Sequence, residues 1–349
     1  MSAPLARKPP TIFEVAALAG VSKSTVSNVI RGVDGVSART RERVLEAVDR
    51  LGYRPNALAR QIVAQRTTML GVLVGDLDNP FYAEMAKLIE RWAFRHGYTA
   101  MFCNIEGDDH LAVAGVEALL EQRVAGIVFL AFFGRSPAIA ELLRRRVPVV
   151  FVGLREDWGD SVAVSDGAGA RLATQHLIDL GHRRIAYLTT PAVEHRADRA
   201  RHSGYREALR RAGLEPRPVV RWAPGSEGAR IGGRLAPLTD VLVGPDRPTA
   251  LFVSNDLGAI ALLEFTDRHG QRVPEDLSVV GFDNVTLAGL SRISLTTVAQ
   301  PLDELARLGI ERLVARIEAG AEHDDDRARV TTVPVELVVR GSTGPPPGE

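Results

Sequence analysis

TIFEVAALAGVSKSTVSNVIRGVDGVSARTRERVLEAVDRLGYRPNALAR, residues 11–60, decides the architecture of the front of this chain. Thr11 followed three residues later by Glu14 is the pattern of a capping box. Phe13, Ala16, Ala17 and Ala19 then recur at helical spacing, so one apolar face is expected inside. Gly20 stops that helix, Val21 plugs the turn, and Ser22 caps a second helix over residues 23–30. Val26, Val29 and Ile30 share one face of it, while Lys23, Ser24, Ser27 and Asn28 point elsewhere. Ser37 caps a third helix, residues 38–51, with Val44, Leu45 and Val48 expected inward and Gly52 at its end. Two short helices joined by a tight glycine turn and braced by a third make a helix-turn-helix unit. Its second helix is the one that enters a major groove. On spacing alone, a three-helix bundle whose polar face meets only water fits the same pattern.

Charge adds a separate observation, and both readings stay open on it. The 349 residues sum to zero net charge, yet residues 1–66 hold eleven Lys and Arg against five Asp and Glu. That head carries +6 and the remainder −6, a basic module on an acidic body, as a nucleic-acid partner would require. Cys103 is the only cysteine, which rules out an internal disulfide and a cysteine-built zinc site. No apolar run is long enough to span a bilayer, and residues 1–10 lack the apolar stretch of a secretory signal. A cytoplasmic protein without membrane contact is expected.

Beyond residue 66 the pattern changes. Short apolar runs at 69–74, 100–104, 126–130, 149–153, 185–189, 250–254 and 278–282 read as buried strands. Amphipathic stretches at 81–96, 111–122, 138–145, 169–180, 201–212 and 257–269 read as helices between them. Such alternation builds parallel sheets flanked by helices. Some 270 residues exceed one sheet of this kind, so two lobes are expected, with ligands bound beyond the strands' carboxyl ends. The fold class is therefore an all-α helix-turn-helix head on an α/β two-lobed body of parallel sheets flanked by helices. The expected divisions are 1–53 for the head, 54–66 for a hinge, 67–340 for the two-lobed body, and 341–349 for a disordered Gly- and Pro-rich tail.

The motifs also resemble a known family. Thr11 to Ala16, Ala19-Gly20-Val21-Ser22, Thr25-Val26-Ser27, Arg41-Glu42-Arg43-Val44 and Leu51 to Arg60 are similar, in order and spacing, to the DNA-binding head of LacI/GalR repressors. The likeness continues through Gly71 to Val74, Asp78-Asn79-Pro80-Phe81-Tyr82, Gly97-Tyr98, His176 to Ala186, Arg201 to Tyr205, Ser254-Asn255-Asp256 and Val279 to Asp283. These resemble the family's sensor domain, itself like periplasmic sugar-binding proteins. The resemblance implies a transcriptional regulator that binds double-stranded operator DNA as a homodimer under control of a small-molecule effector, a sugar or related metabolite.

Residue by residue, it implies that Lys23, Ser24 and Asn28 contact bases. Asn28 stands where Arg is common in the family, favouring adenine over guanine. Thr11, Ser22, Thr25, Ser27, Asn56 and Ala59 complete the expected DNA-contacting set. The hinge resembles the family's hinge helix, with Ile62 in the place of the leucine that wedges between base pairs in the minor groove. Arg201, Asn255 and Asp283 match effector-bonding positions, and their donors and acceptors suit hydroxyls or a charged headgroup. Phe81 and Tyr82 match an apolar or aromatic wall, Gln300 another contact, and Trp222 lies near an aromatic placed over the ligand. Surface exposure of Arg201, a turn-capping role for Asp283, and core roles for Phe81 and Tyr82 are the structural alternatives. Val164-Ser165-Asp166-Gly167 departs from the family's paired Asp-Asn, and no role is assigned to it. The chain is expected to cross between lobes within 153–165, 283–290 and 296–301.

Catalytic patterns are missing from the sequence: no GxSxG elbow, phosphate loop, HExxH or CxxC. No cofactor, metal or enzymatic activity is expected. A transported-solute binding protein or a sugar-modifying enzyme would share the sheet but would not carry the capped helix-turn-helix. The tetramer-forming leucine heptad of some relatives is also missing from this sequence, so a dimer matches a two-fold operator.

Overall fold

The computed structural model describes residues 10–30, 33, 35–53, 67–130, 139, 147–156, 158–189, 196–221, 238, 241–242, 244, 246–320 and 328–348. The chain divides between Thr67 and Thr68 into two units.

The first unit contains α1 (Ile12–Ala19), α2 (Lys23–Ile30) and α3 (Ala38–Leu51). Glu14 accepts from the Thr11 N–H at 2.6 Å and the Thr11 hydroxyl at 2.9 Å, fixing the start of α1. Gly20 and Gly52 take left-handed φ of 63° and 61°, which ends α1 and α3. Ser22 accepts from Thr25 N at 3.1 Å and Ser37 from Thr40 N at 3.3 Å, so both serines cap as expected. Val15, Val26 and Val44 are fully buried, each stabilising the unit by roughly 1.5–3 kcal/mol. Three side chains depart from the expected inner face, exposed Ala17 among them. Phe13 is 65% exposed and Leu45 49%. Val15 and Ala47 fill those places, because 3.6-residue periodicity lets either neighbour of a boundary position turn inward.

The second unit holds two six-stranded sheets. The first lobe comprises β1 (Met69–Val74), α4 (Pro80–Arg95), β2 (Thr99–Asn104), α5 (Asp109–Glu121), β3 (Gly126–Leu130), β4 (Val149–Val152) and β5 (Asp160–Val164). In the second lobe follow α6 (Asp166–Asp179), β6 (Ile185–Thr189), α7 (Arg196–Arg211), β7 (Val220–Arg221), β8 (Ala250–Val253), α8 (Asp256–Arg268), β9 (Ser278–Asp283) and β10 (Thr296–Ala299). The chain then returns with α9 (Leu302–Ala319) and β11 (Val330–Val333) to the first lobe, and β12 (Glu336–Val338) closes the second. Strand order is β11-β5-β4-β3-β1-β2 in one sheet and β12-β10-β9-β8-β6-β7 in the other. Among the described strands, every pair is parallel except β10 with β12. Inner strands covered on both faces need continuous apolar runs, and β1, β3 and β8 supply them.

Two features depart from expectation, one of the lobe crossings and the tail. The chain does cross at Ser165 and again between Ala299 and Leu302, but not within 283–290, because β9 and β10 pair in one sheet. The remaining crossing lies between Val333 and Glu336, where one short strand joins each sheet edge. Nor is the tail disordered over residues 341–348. Ser342 is 2% exposed and its hydroxyl donates to Val279 O at 2.6 Å. Gly344 donates its N–H to Ser278 Oγ at 3.1 Å, and its carbonyl meets the ring of buried His182 at 2.9 Å. Backbone groups without bulky side chains fit this narrow seat, so Gly-Pro composition misleads.

Candidate functional sites: a helix face and an inter-lobe ion cluster

In the head, α2 shows an apolar face buried by Val26 and Val29 and a polar face elsewhere. Ser22, Lys23 and Ser24 are exposed, while Thr25, Ser27 and Asn28 are half-buried. Ser22 Oγ lies 2.7 Å from Ser24 Oγ and 2.8 Å from Thr25 Oγ1, so the hydroxyls at the helix start order one another. The Lys23 ammonium stands 5.1 Å over the Phe13 ring, which explains how an exposed phenyl gains a partner. Arg41 ties α3 to the end of α2 by donating to Val33 O at 3.2 Å. Asn56, Ala59 and Ile62 lie outside the described residues, as does Trp222.

In the sensor unit, Arg201 is the centre of the second site. It lies on α7 with its side chain 12% exposed. Its Nε donates to Asp166 Oδ1 at 2.9 Å, and one terminal nitrogen donates to Ser254 O at 2.5 Å. That same nitrogen is 3.8 Å from Asp283 Oδ1, and the guanidinium carbon sits 3.7 Å over the Phe282 ring. Burial opposes its charge, but Asp166 and Asp283 outweigh that and hold it protonated. Asp283 ends β9 with a positive φ of 126° and is 3% exposed. Gln300 Nε2 donates to it at 2.7 Å. Burial lifts its carboxyl well above the usual carboxylate range; Arg201 works against the shift, and the nearby Asp256 charge adds to it.

Asp283 does not cap the following turn. That role falls to Asp256, fully buried, whose Oδ2 accepts from Val285 N at 2.9 Å and whose Oδ1 accepts from Thr297 Oγ1 at 2.5 Å. Asn255 caps α8, its Oδ1 accepting from Gly258 N at 2.8 Å, which commits its carbonyl to the helix. From the first lobe come Phe81 and Tyr82, edge to face at 5.2 Å. The Tyr82 hydroxyl is pushed up to about 12, first by burial and then by Asp283, so it stays neutral. The structure thus gathers Tyr82, Arg201, Asp283 and Gln300, with Phe81 against Tyr82. It adds Asp166 and Asp256, which the sequence reading left without roles. The Ser-Asp step at 165–166, where the family pairs Asp with Asn, was the available signal for Asp166.

A cavity of about 290 Å³ opens beside this cluster, between the lobes. Gly153, Arg155 and Glu156 line it from one lobe, Ser165 and Asp166 from the crossing, and Arg196 from the other. Asp166 belongs to both features, facing the cavity and pinning Arg201. Arg201, Asp283, Asn255 and Gln300 do not line the cavity themselves.

Two family models match this chain. Residues 174–343 match the periplasmic binding protein-like domain, and residues 11–56 match the model for bacterial regulatory proteins of the lacI family. The ribose operon repressor of Escherichia coli (strain K12) is 36% identical over 336 residues, covering 95% of this chain and 99% of that protein. The chain belongs to the lacI family. The transcriptional repressor PurR of Aliivibrio salmonicida (strain LFI1238) is 34% identical, across 88% of this chain and 92% of the repressor. Among solved structures, the lac repressor dimer bound to operator and the anti-inducer ONPF superposes with a TM-score of 0.81 at 29% identity, over 97% of this chain and 100% of that one. The CelR–cellobiose complex matches with a TM-score of 0.66 at 32% identity, covering 95% and 99%.

As a lacI-family member the chain is a DNA-binding transcriptional regulator controlled by a small-molecule effector, and not an enzyme. Operator DNA places its work in the cytoplasm. No described helix is long and apolar enough to cross a membrane.

Proposed function

We propose that this regulator is a repressor that reads a near-palindromic operator as a homodimer and answers to a polyhydroxylated effector seated between the lobes. Lys23, Ser24 and Asn28 read bases, supported by Thr11, Ser22, Thr25 and Ser27, while Asn56, Ala59 and Ile62 engage the minor groove from the hinge. Phe81, Tyr82, Arg201, Asn255, Asp283 and Gln300, with Trp222, hold the effector. The observation that carries this reading is the Arg201 cluster. A guanidinium and carboxylates buried where the lobes meet are costly for the empty protein, a cost that binding chemistry explains better than stability does. The relatives' names point the same way, one being a ribose operon repressor and one complex holding cellobiose.

The test is an operator titration at several salt concentrations. Lys23→Ala or Asn28→Ala is expected to weaken specific binding by about 1–3 kcal/mol, with salt-dependent nonspecific binding spared. Unchanged specificity with an altered salt slope would remove the base-reading assignment.

A further inference from the structure

The inter-lobe cavity carries positive charge that the Arg201 cluster does not consume. We infer that the effector is itself an anion, a sugar acid or sugar phosphate, whose charged end is held by Arg155 and Arg196 across the two lobes. This rests on the proposal above that an effector binds between the lobes, adds the ligand's class to it, and seats the charged end in the cavity that meets the Arg201 cluster at Asp166.

Arg155 follows β4 in the first lobe, and Arg196 opens α7 in the second. Arg155 donates to Thr332 Oγ1 at 2.6 Å, and Arg196 donates to the carbonyl of Arg155 at 3.1 Å. Both acceptors are neutral. Each guanidinium has five donors, and most of them meet no acceptor among the described residues. Among the described residues no carboxylate forms an ion pair with either arginine. Asp166 does not compensate them, since its charge is answered by Arg201 at 2.9 Å. The start of α6 adds potential of the same sign: Ser165 makes no side-chain cap there, and Ser165, Asp166 and Gly167 all line the cavity. Glu156 lines it too and opposes an anion. The cavity's 290 Å³ sits at the lower bound for ligand pockets and suits one small molecule. Placement on opposite lobes matters most. An anion bonded to both arginines binds one lobe angle better than another, and only such a difference lets a ligand shift a conformational equilibrium.

The experiment follows thermal stabilisation and calorimetric binding of the full-length protein with D-gluconate, D-ribose 5-phosphate, D-glucose, D-ribose, and sodium chloride at matched ionic strength. At least one of the two anions is expected to raise Tm saturably, its neutral parent and chloride leaving Tm unmoved. Gluconate against ribose phosphate tells carboxylate from phosphate. R155Q and R196Q should each weaken that Kd by about tenfold or more, as expected when a charge-assisted hydrogen bond is lost. R155K and R196K should recover part of it, and E156Q should tighten it. The inference is overturned if neutral sugars stabilise as well as their acids, if neither anion exceeds chloride, or if R155Q and R196Q bind the anion like the native chain. Arg201→Ala separates the two ideas. Binding lost in Arg201→Ala but kept in R155Q and R196Q leaves the site and removes the anion. The reverse pattern keeps the anion and removes the Arg201 cluster from the site.

Discussion

Asp283 concentrates the conflict between stability and binding. It is 3% exposed, and burial raises its carboxyl well above the range of a free aspartate even with Arg201 3.8 Å away. An acid whose folded pKa is raised stabilises least when ionised. Its contribution is therefore greatest below the unfolded value, about 3.9, and declines as pH rises toward the folded value. Asp283→Asn keeps an acceptor for Gln300 but cannot ionise. Its Tm relative to the native protein should climb as pH goes from 5 to 8.5, while effector binding collapses. A difference that stays flat or shrinks over that range would show that Asp283 carries no burial cost. His182 has the opposite sign. Burial lowers its pKa, so its neutral ring, bonded to Thr249, Ser278 and Gly344, contributes fully above about pH 6.5 and less as pH falls through the lowered value. That Arg201 and Asp283 come together was legible because residue type and spacing match a family pattern. Asp256 was not, because a buried carboxylate that satisfies a turn N–H looks in sequence like any helix-starting aspartate.

At the scale of elements, the pairing of α6 with α7 sets the distance between Asp166 and Arg201. Gly204 makes that pairing close: a Cβ there would run into the Gly167 carbonyl and lie 2.9 Å from the Ala170 Cβ. Backbone cannot yield as a flexible side chain can, so Gly204→Ala should cost about 1–3 kcal/mol and pull α7 away from α6. The measurable outcome is a lower Tm together with weakened effector affinity; lowered Tm with native affinity would mean the helices move as one. The tail offers a second test. Removing residues 342–349 uncovers His182 and frees Val279 O, so Tm should fall, by about 2–4 °C for each kcal/mol lost. An unchanged Tm would return the tail to the disordered state its composition suggests. Elements with strong periodicity and caps were readable in sequence, α1 to α3 and β1 above all. β5, β7, β10, β11 and β12 were not: unlike the wholly apolar four-residue β4 and β8, they mix polar with apolar residues and form no apolar run.

For the whole molecule, three crossings join the two lobes of the sensor. Sequence order reveals one crossing easily, since lobe two begins where a second run of alternating elements starts. The family likeness also places the crossing before α9, while the third, between β11 and β12, is hidden because returning strands are placed by edge pairing far along the chain. A basic head on an acidic body, with a family whose lac repressor is seen as a dimer on operator, predicts a homodimer at micromolar concentration by sedimentation. A monomer or a stable tetramer would contradict that. The central claim is that effector binding at the Arg201 cluster and operator binding by the head are coupled through one equilibrium, as linkage demands. Its direct test is the ratio of operator Kd with and without a saturating effector, chosen as whichever sugar, sugar acid or sugar phosphate most stabilises the native protein. The native ratio is expected to differ from one by about fivefold or more, and the ratio for Arg201→Ala to collapse to about one at the same ligand concentration. A ratio for Arg201→Ala equal to that of the native protein would contradict the account at its centre.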